Sequence, residues 1–204
     1  MVSDRSTQNL LVPSYTEFAS TYIQDLANAL NGVPPVALEK VANLIFDDLN
    51  NHTIFVCGNG GSASTANHFV CDWLNSLLNI GSNRHLKVIS LSQSQEIITA
   101  TANDYSYDVV FTRQLQLLAS DGDLLIVFSA SGNSPNVIHA LHWAKANRLR
   151  TIAFTGFDGG QAKALADAAI HVDCHNYGIV EDAHLIMMHT LAQYVVSTFA
   201  VKKS

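Results

Sequence analysis

The stretch Thr53-Ile54-Phe55-Val56-Cys57-Gly58-Asn59-Gly60-Gly61-Ser62 is a short apolar run that ends in small residues and opens into a helical pattern. A second stretch repeats the design: Leu124-Leu125-Ile126-Val127-Phe128-Ser129-Ala130-Ser131-Gly132-Asn133-Ser134. Small residues after a strand let a ligand come close to the backbone. The free N–H groups at a helix start, aided by the helix dipole, attract anions. The hydroxyls of Ser62, Ser129, Ser131 and Ser134 add donors. Neither turn carries a lysine or arginine. A triphosphate normally calls for a lysine or a metal, so the two turns read as a cradle for one phosphate monoester.

On either side of the turns, short β-branched apolar runs alternate with helical patterns. Strands are expected at Thr53–Cys57, Leu86–Leu91, Asp123–Phe128, Thr151–Thr155 and Ala169–Val172. Helices are expected at Ser62–Leu78, Gln93–Ala102, Tyr107–Leu118, Ser134–Asn147, Gly160–Ala166 and Val180–Ala200. Two further helices precede the first strand. Ser14-Tyr15-Thr16-Glu17 has the form of a capping box and starts a helix over Tyr15–Leu30. Pro34-Pro35 breaks the chain and starts another that runs to about Leu49. Alternation of this kind predicts an α/β fold with a parallel sheet covered on both faces. The expected architecture is a five-stranded flavodoxin-like sheet of order 2-1-3-4-5, with the ligand at the C-terminal strand ends between strands one and three. Residues 1–12 are expected to be a flexible arm and residues 13–204 a single domain.

Composition narrows the function. The 204 residues are 48% hydrophobic and 14% charged, the balance of a globular protein. Net charge is −6, from 17 acids against 11 bases, and the only basic pair is Lys202-Lys203. That predicts no nucleic-acid partner. No apolar run approaches the ~18 residues of a membrane span, so no membrane partner is expected. Met1–Pro13 lacks a basic flank followed by an apolar core. Cys57, Cys71 and Cys174 have no CxxC spacing, which predicts reduced thiols, a cytoplasmic location and no zinc–thiolate site.

Two familiar phosphate motifs fit the first turn poorly. Gly58-Asn59-Gly60-Gly61-Ser62-Ala63 matches the G-x-G-x-x-A dinucleotide fingerprint. That design needs a carboxylate at the end of strand two for the ribose. Here the chain reads Ser90-Leu91-Ser92-Gln93, with no carboxylate before Glu96. A P-loop fails because no lysine follows the glycines.

Beyond the phosphate turn, His68 and Asp72 stand at i and i+4 on one helix face. An imidazole and a carboxylate at that spacing suit either a metal or acid–base work. His139, His142, His171, His175 and His184 read as structural, His184 as a capping or packing residue. Cys57 and Cys71 read as buried fillers. The stripe Leu185, Met188, Leu191, Val195 and Phe199 reads as a packing face, part of it available to another subunit.

The two serine turns together resemble the SIS (sugar isomerase) domain family, and within it the phosphoheptose isomerases most. The resemblance is carried by Cys57–Ser62, by His68-Phe69 with Asp72, by Asn103-Asp104-Tyr105, by Ser129–Ser134, and by Glu181-Asp182-Ala183-His184 with His189. It implies aldose–ketose isomerisation of a sugar phosphate, sedoheptulose 7-phosphate to D-glycero-D-manno-heptose 7-phosphate. It implies substrate binding by Asn59, Gly60, Gly61, Ser62, Asp104, Ser129, Ser131, Ser134 and Glu181. It implies zinc on His68, Asp72, Glu181 and His189, with Asp72 as base, His189 as acid or proton shuttle, and a homotetramer.

The sequence departs from the family pattern in several places. Asp72 stands for a glutamate and Glu181 for a glutamine. Trp73-Leu74-Asn75-Ser76 stands where Leu-Thr-Gly-Arg is usual, and Ala130 stands for a threonine. Glu181 and His189 are eight residues apart, about 12 Å along a helix. Either Glu181 precedes the helix, or the two residues serve one ion from different subunits, and the second is the expectation. The same resemblance admits a non-catalytic SIS protein, a phosphosugar sensor or adaptor of the kind that associates with a replication initiator.

Overall fold

The computed structural model describes residues 13–48, 52–79 and 87–201. The expected arm over residues 1–12 and the start of the second strand at Leu86 lie outside the described residues. In chain order the elements are α1 (Tyr15–Asn31), α2 (Pro35–Asp48), β1 (Thr53–Gly58), α3 (Gly60–Asn79), β2 (Lys87–Ser90) and α4 (Gln95–Asp104). Then come α5 (Thr112–Leu118), β3 (Leu124–Ser129), α6 (Pro135–Ala146), β4 (Arg150–Thr155), α7 (Gly160–Leu165), β5 (Ala168–His171) and α8 (Tyr177–Val201). The strands form one parallel sheet of order β2-β1-β3-β4-β5, as the alternation predicts. Among the described residues no helix is long and apolar enough to cross a membrane.

The strands read as unbroken apolar runs because both faces of the sheet are buried. Successive residues feed opposite cores. Ile54, Val56, Leu124, Ile126, Phe128, Ile152 and Phe154 pack with residues of α2, α3 and α8. Phe55, Cys57, Leu125, Val127 and Ala153 pack with residues of α5, α6 and α7. Cys57 is fully buried and burial pushes its thiol pKa up, the behaviour of a filler. Trp73 and Phe69 stack at 4.9 Å inside the first core. That occupies with a core ring a stretch that departs from the family pattern.

Local chemistry sets the element ends. At α1 the predicted capping box is present: Glu17 N–H donates to Ser14 Oγ at 3.3 Å, and Ser14 N–H donates to Glu17 Oε2 at 2.8 Å. The helix after the first turn begins at Gly60 rather than Ser62: Ala63 N–H donates to the Asn59 carbonyl at 3.2 Å, and Gly60 makes the turn into the helix at a φ of 53° that other residues adopt at a cost. The last helix begins at Tyr177 rather than Val180. There the Asn176 side chain accepts from Gly178 N–H at 2.9 Å and from Ile179 N–H at 3.3 Å. Glu181 therefore lies within α8, which removes the possibility that it precedes the helix. The expected helix Tyr107–Leu118 is two pieces, a 3-10 turn over Tyr107–Val109 and then α5. Ser106 starts the turn by accepting from Asp108 N–H at 3.1 Å.

The second serine turn is fixed by one backbone crossing. Gly132 has a φ of 64°, its carbonyl accepts from Ala162 N–H at 2.9 Å, and a Cβ there would strike the Gly159 carbonyl oxygen. Gly132→Ala is expected to destabilise the fold by at least about 1 kcal/mol, from the left-handed backbone alone. Urea unfolding of the two proteins measures the difference.

Candidate active site

β1 and β3 are neighbours in register, Gly58 beside Phe128, so both serine turns leave the same edge of the sheet. They enclose a cavity of about 160 Å³ lined by Asn59, Ser62, Ser129, Ala130, Ser131, Ser134, Tyr177 and Glu181. Ser129 Oγ accepts from Gly132 N–H at 3.2 Å, and Ser131 Oγ accepts from Asn133 N–H at 3.3 Å. Each of these hydroxyls keeps its own proton to donate. Ser134 occupies the N-cap of α6 without making a side-chain cap bond. Ser62 lines the cavity too and is only 5% exposed. Four hydroxyl donors and the first turn of α3 thus converge where no lysine or arginine lines the wall.

Asn59 holds the first turn rather than pointing its amide at a ligand. Its Nδ2 donates to Asn136 Oδ1 at 2.9 Å, and Asn136 Nδ2 donates back to Asn59 Oδ1 at 2.9 Å. The Tyr107 hydroxyl donates to the same Asn59 oxygen at 2.9 Å. Asn136, Tyr107 and Tyr177 are the residues of this region that sequence reasoning missed. Asn136 sits 77 positions from its partner, and nothing local announces the pairing.

A second cavity, of about 410 Å³, adjoins the first through Glu181. It is lined by Gly61, Ser64, Thr65, His68, Glu181, Asp182, Leu185 and His189. Together the two cavities fall within the about 300–1,000 Å³ that small-ligand sites span. Two of its lining residues, His68 and His189, hold Asp72 between their imidazoles. His68 Nε2 lies 3.3 Å from Asp72 Oδ1, and His189 Nδ1 lies 2.5 Å from Asp72 Oδ2. The two rings meet edge to face at 5.0 Å. One ligand atom from each of His68, Asp72 and His189 lies within 4.8 Å of the others. Two imidazoles and a carboxylate are a donor set for a divalent cation with a position left open. The predicted i, i+4 pair is therefore real, and α8 supplies the third member.

Of the other expected site residues, Glu181 lines both cavities and Asp104 lies in neither. Glu181 is not part of that three-residue cluster. Its carboxylate lies over the first turn of α3, where a Cβ on Gly61 would fall onto it. Asp104 lines a separate, largely apolar groove with Ile97, Tyr105, Arg113 and Leu117. Its Oδ1 accepts from Asn103 Nδ2 at 2.9 Å, and Arg113 stacks over Tyr105 at 3.6 Å. Next to Glu181, Asp182 accepts from the Tyr22 hydroxyl at 2.7 Å, tying α1 to the start of α8. Burial first, and then the Asp182 carboxylate, push the Tyr22 pKa up to about 12.

His184 is a packing residue, as its sequence position suggests. It is 1% exposed, beside Phe128 and Phe154, and neither ring nitrogen meets hydrogen-bond geometry. Burial pushes its pKa down to about 4, against partial opposition from the Thr155 backbone. The folded chain therefore holds it neutral while the unfolded chain protonates near the ordinary value of 6.5. Its contribution is complete above about pH 6.5 and is lost as pH falls toward 4, a loss on the order of 3 kcal/mol. Urea unfolding across that range is expected to follow this slope, and His184→Leu is expected to flatten it.

A family model for the SIS domain matches residues 18–156. The chain is 37% identical over 182 residues to a probable phosphoheptose isomerase of Thermoplasma acidophilum, covering 89% of this chain and 99% of that one. It is 38% identical over 178 residues to the phosphoheptose isomerase of Helicobacter pylori, covering 87% and 91%. Among solved structures, the phosphoheptose isomerase of Neisseria gonorrhoeae superposes with a TM-score of 0.81 at 29% identity, covering 90% of this chain and all of that one. That of Francisella tularensis gives 0.78 at 28% identity, covering 90% and 96%.

Proposed function

Because the chain belongs to the SIS domain family and, within it, to the phosphoheptose isomerases, we propose that it interconverts a ketose phosphate and an aldose phosphate, with sedoheptulose 7-phosphate as the ketose. The observation that carries the reading is the meeting of two cavities. One is a hydroxyl-lined pocket with no cationic side chain, and the other is walled by two imidazoles, His68 and His189, that flank the Asp72 carboxylate. The first suits the phosphate and the second suits the carbonyl end of the sugar. An adaptor needs no such acid–base pair, so the non-catalytic alternative gains no support from the site.

In this reading the phosphate rests on the hydroxyls of Ser62, Ser129, Ser131 and Ser134 and on the backbone N–H groups of Gly60 and Gly61. Asp72 takes a proton from C1 of the ketose. The C1–C2 double bond forms as the carbonyl bond opens, and the C2 oxygen takes up the negative charge. His189 donates a proton to that oxygen, giving the enediol. The C1 hydroxyl then gives up its proton, the C1 carbonyl forms, and C2 receives the proton that completes the aldose. Contact between Asp72 and His189 Nδ1 supports their acting as a pair.

We assign zinc to His68, Asp72 and His189, a set that fits its preference for imidazole and carboxylate. When bound, it would polarise the substrate carbonyl as a Lewis acid. Glu181 and Asp104 join the substrate or the ion in the assembled protein, which we take to be a homotetramer. Support for an assembly comes from α1, which buries no residue within one chain and leaves Tyr15 85% and Ile23 65% exposed.

Asp72→Asn is expected to lower turnover of sedoheptulose 7-phosphate by about 10²–10⁴-fold. Phosphosugar binding should persist. A ³¹P-NMR assay in D₂O reads both conversion and solvent deuterium entering the sugar, and turnover equal to wild type would reject the role of Asp72. Metal analysis of the purified protein is expected to give one zinc per chain, and loss of it in His68→Ala.

A further inference from the structure

The phosphate pocket has one charged side chain on its wall, and that side chain is an anion. Glu181 lines both the serine cavity and the cavity that holds His68 and His189. Its carboxylate is seated against Gly61, the second residue of α3, so closely that glycine alone fits there. The helix start favours negative charge at this spot, and Glu181 already supplies it. Ser62, nine-tenths buried, lines the same cavity. A phosphate monoester entering between the serines must share this helix start with a like charge, in a cavity with no cation on its wall.

From this arrangement we propose that Glu181 links phosphate binding to cation binding. Its carboxylate opposes the phosphate while it sits over α3. A divalent cation held by His68, Asp72 and His189 in the adjoining cavity, which Glu181 also lines, draws that carboxylate off the helix start and so admits the phosphate. Linkage is reciprocal: the phosphate then raises the affinity for the cation by the same factor. Glu181 thus makes the site selective for order, because a sugar phosphate is retained only where the cation is in place. The inference rests on the serine cavity being the phosphate site.

The test is calorimetric titration with glycerol 3-phosphate, a phosphate monoester with no carbonyl to isomerise, so that no turnover enters the readout. In metal-free protein, Glu181→Gln is expected to tighten binding about tenfold. Glu181→Ala, which leaves no amide to take a new hydrogen bond, should tighten it in the same direction. Added zinc should tighten binding about tenfold in the wild type and little in either variant. Glycerol 3-phosphate should raise the wild-type affinity for zinc by the matching factor. Equal or weaker binding by both metal-free variants overturns the linkage while leaving the phosphate site standing. Absence of binding by every form, with and without zinc, overturns both.

Discussion

The site depends on the parallel pairing of β1 with β3. These two strands are adjacent in the sheet although two strand–helix units are separated by the whole of β2, α4 and α5. Their register sets Gly58 beside Phe128, and both chains turn outward at the same level. Shift that register and the serines of the second turn no longer face the first turn of α3. The register is secured from beneath. Asp123, buried just before β3, accepts from Thr53 N–H at 2.7 Å with one oxygen and from Ser120 N–H at 2.7 Å with the other. A carboxylate that accepts from backbone on both sides ties the entry of β1 to that of β3, and the exits follow.

Much of this was legible in the sequence, and the parts that were not share a cause. Strands buried on both faces announce themselves as continuous apolar runs, which is why all five were found within a residue or two. The serine turns were legible because small residues after a strand have few other uses. His68 and Asp72 were legible because helical spacing is local. By contrast, the contact between Asp72 and His189 spans 117 positions, and only the family resemblance anticipated it. The start of α8 was missed because it rests on a single asparagine, Asn176, amid residues of weak helical pattern. Asp104 was expected beside the substrate because a motif carried it there. In one chain the fold turns it into an apolar groove instead.

The two halves of the site differ in how they are held. The serine-lined half is built from backbone turns whose hydroxyls are oriented by their own neighbours, Ser129 by Gly132 and Ser131 by Asn133. The half that holds His68, Asp72 and His189 is built from side chains on two long helices, α3 and α8, which pack along one another. Tyr22 adds a brace from α1 through Asp182, one residue from Glu181. The first half is therefore as stable as the sheet edge, whereas the second responds to anything that slides or tilts a helix.

The paired amides of Asn59 and Asn136 have a consequence for how the substrate is recognised. Both polar atoms of the Asn59 side chain are spent inside the protein, one of them twice over, with Tyr107. The first turn can then offer a guest little beyond peptide N–H groups and a hydroxyl, and these greet any terminal phosphate alike. On the proposed function, discrimination between sugars of different length or stereochemistry falls to the distant end of the ligand. The molecule grips every candidate by the same handle and judges it by the other end.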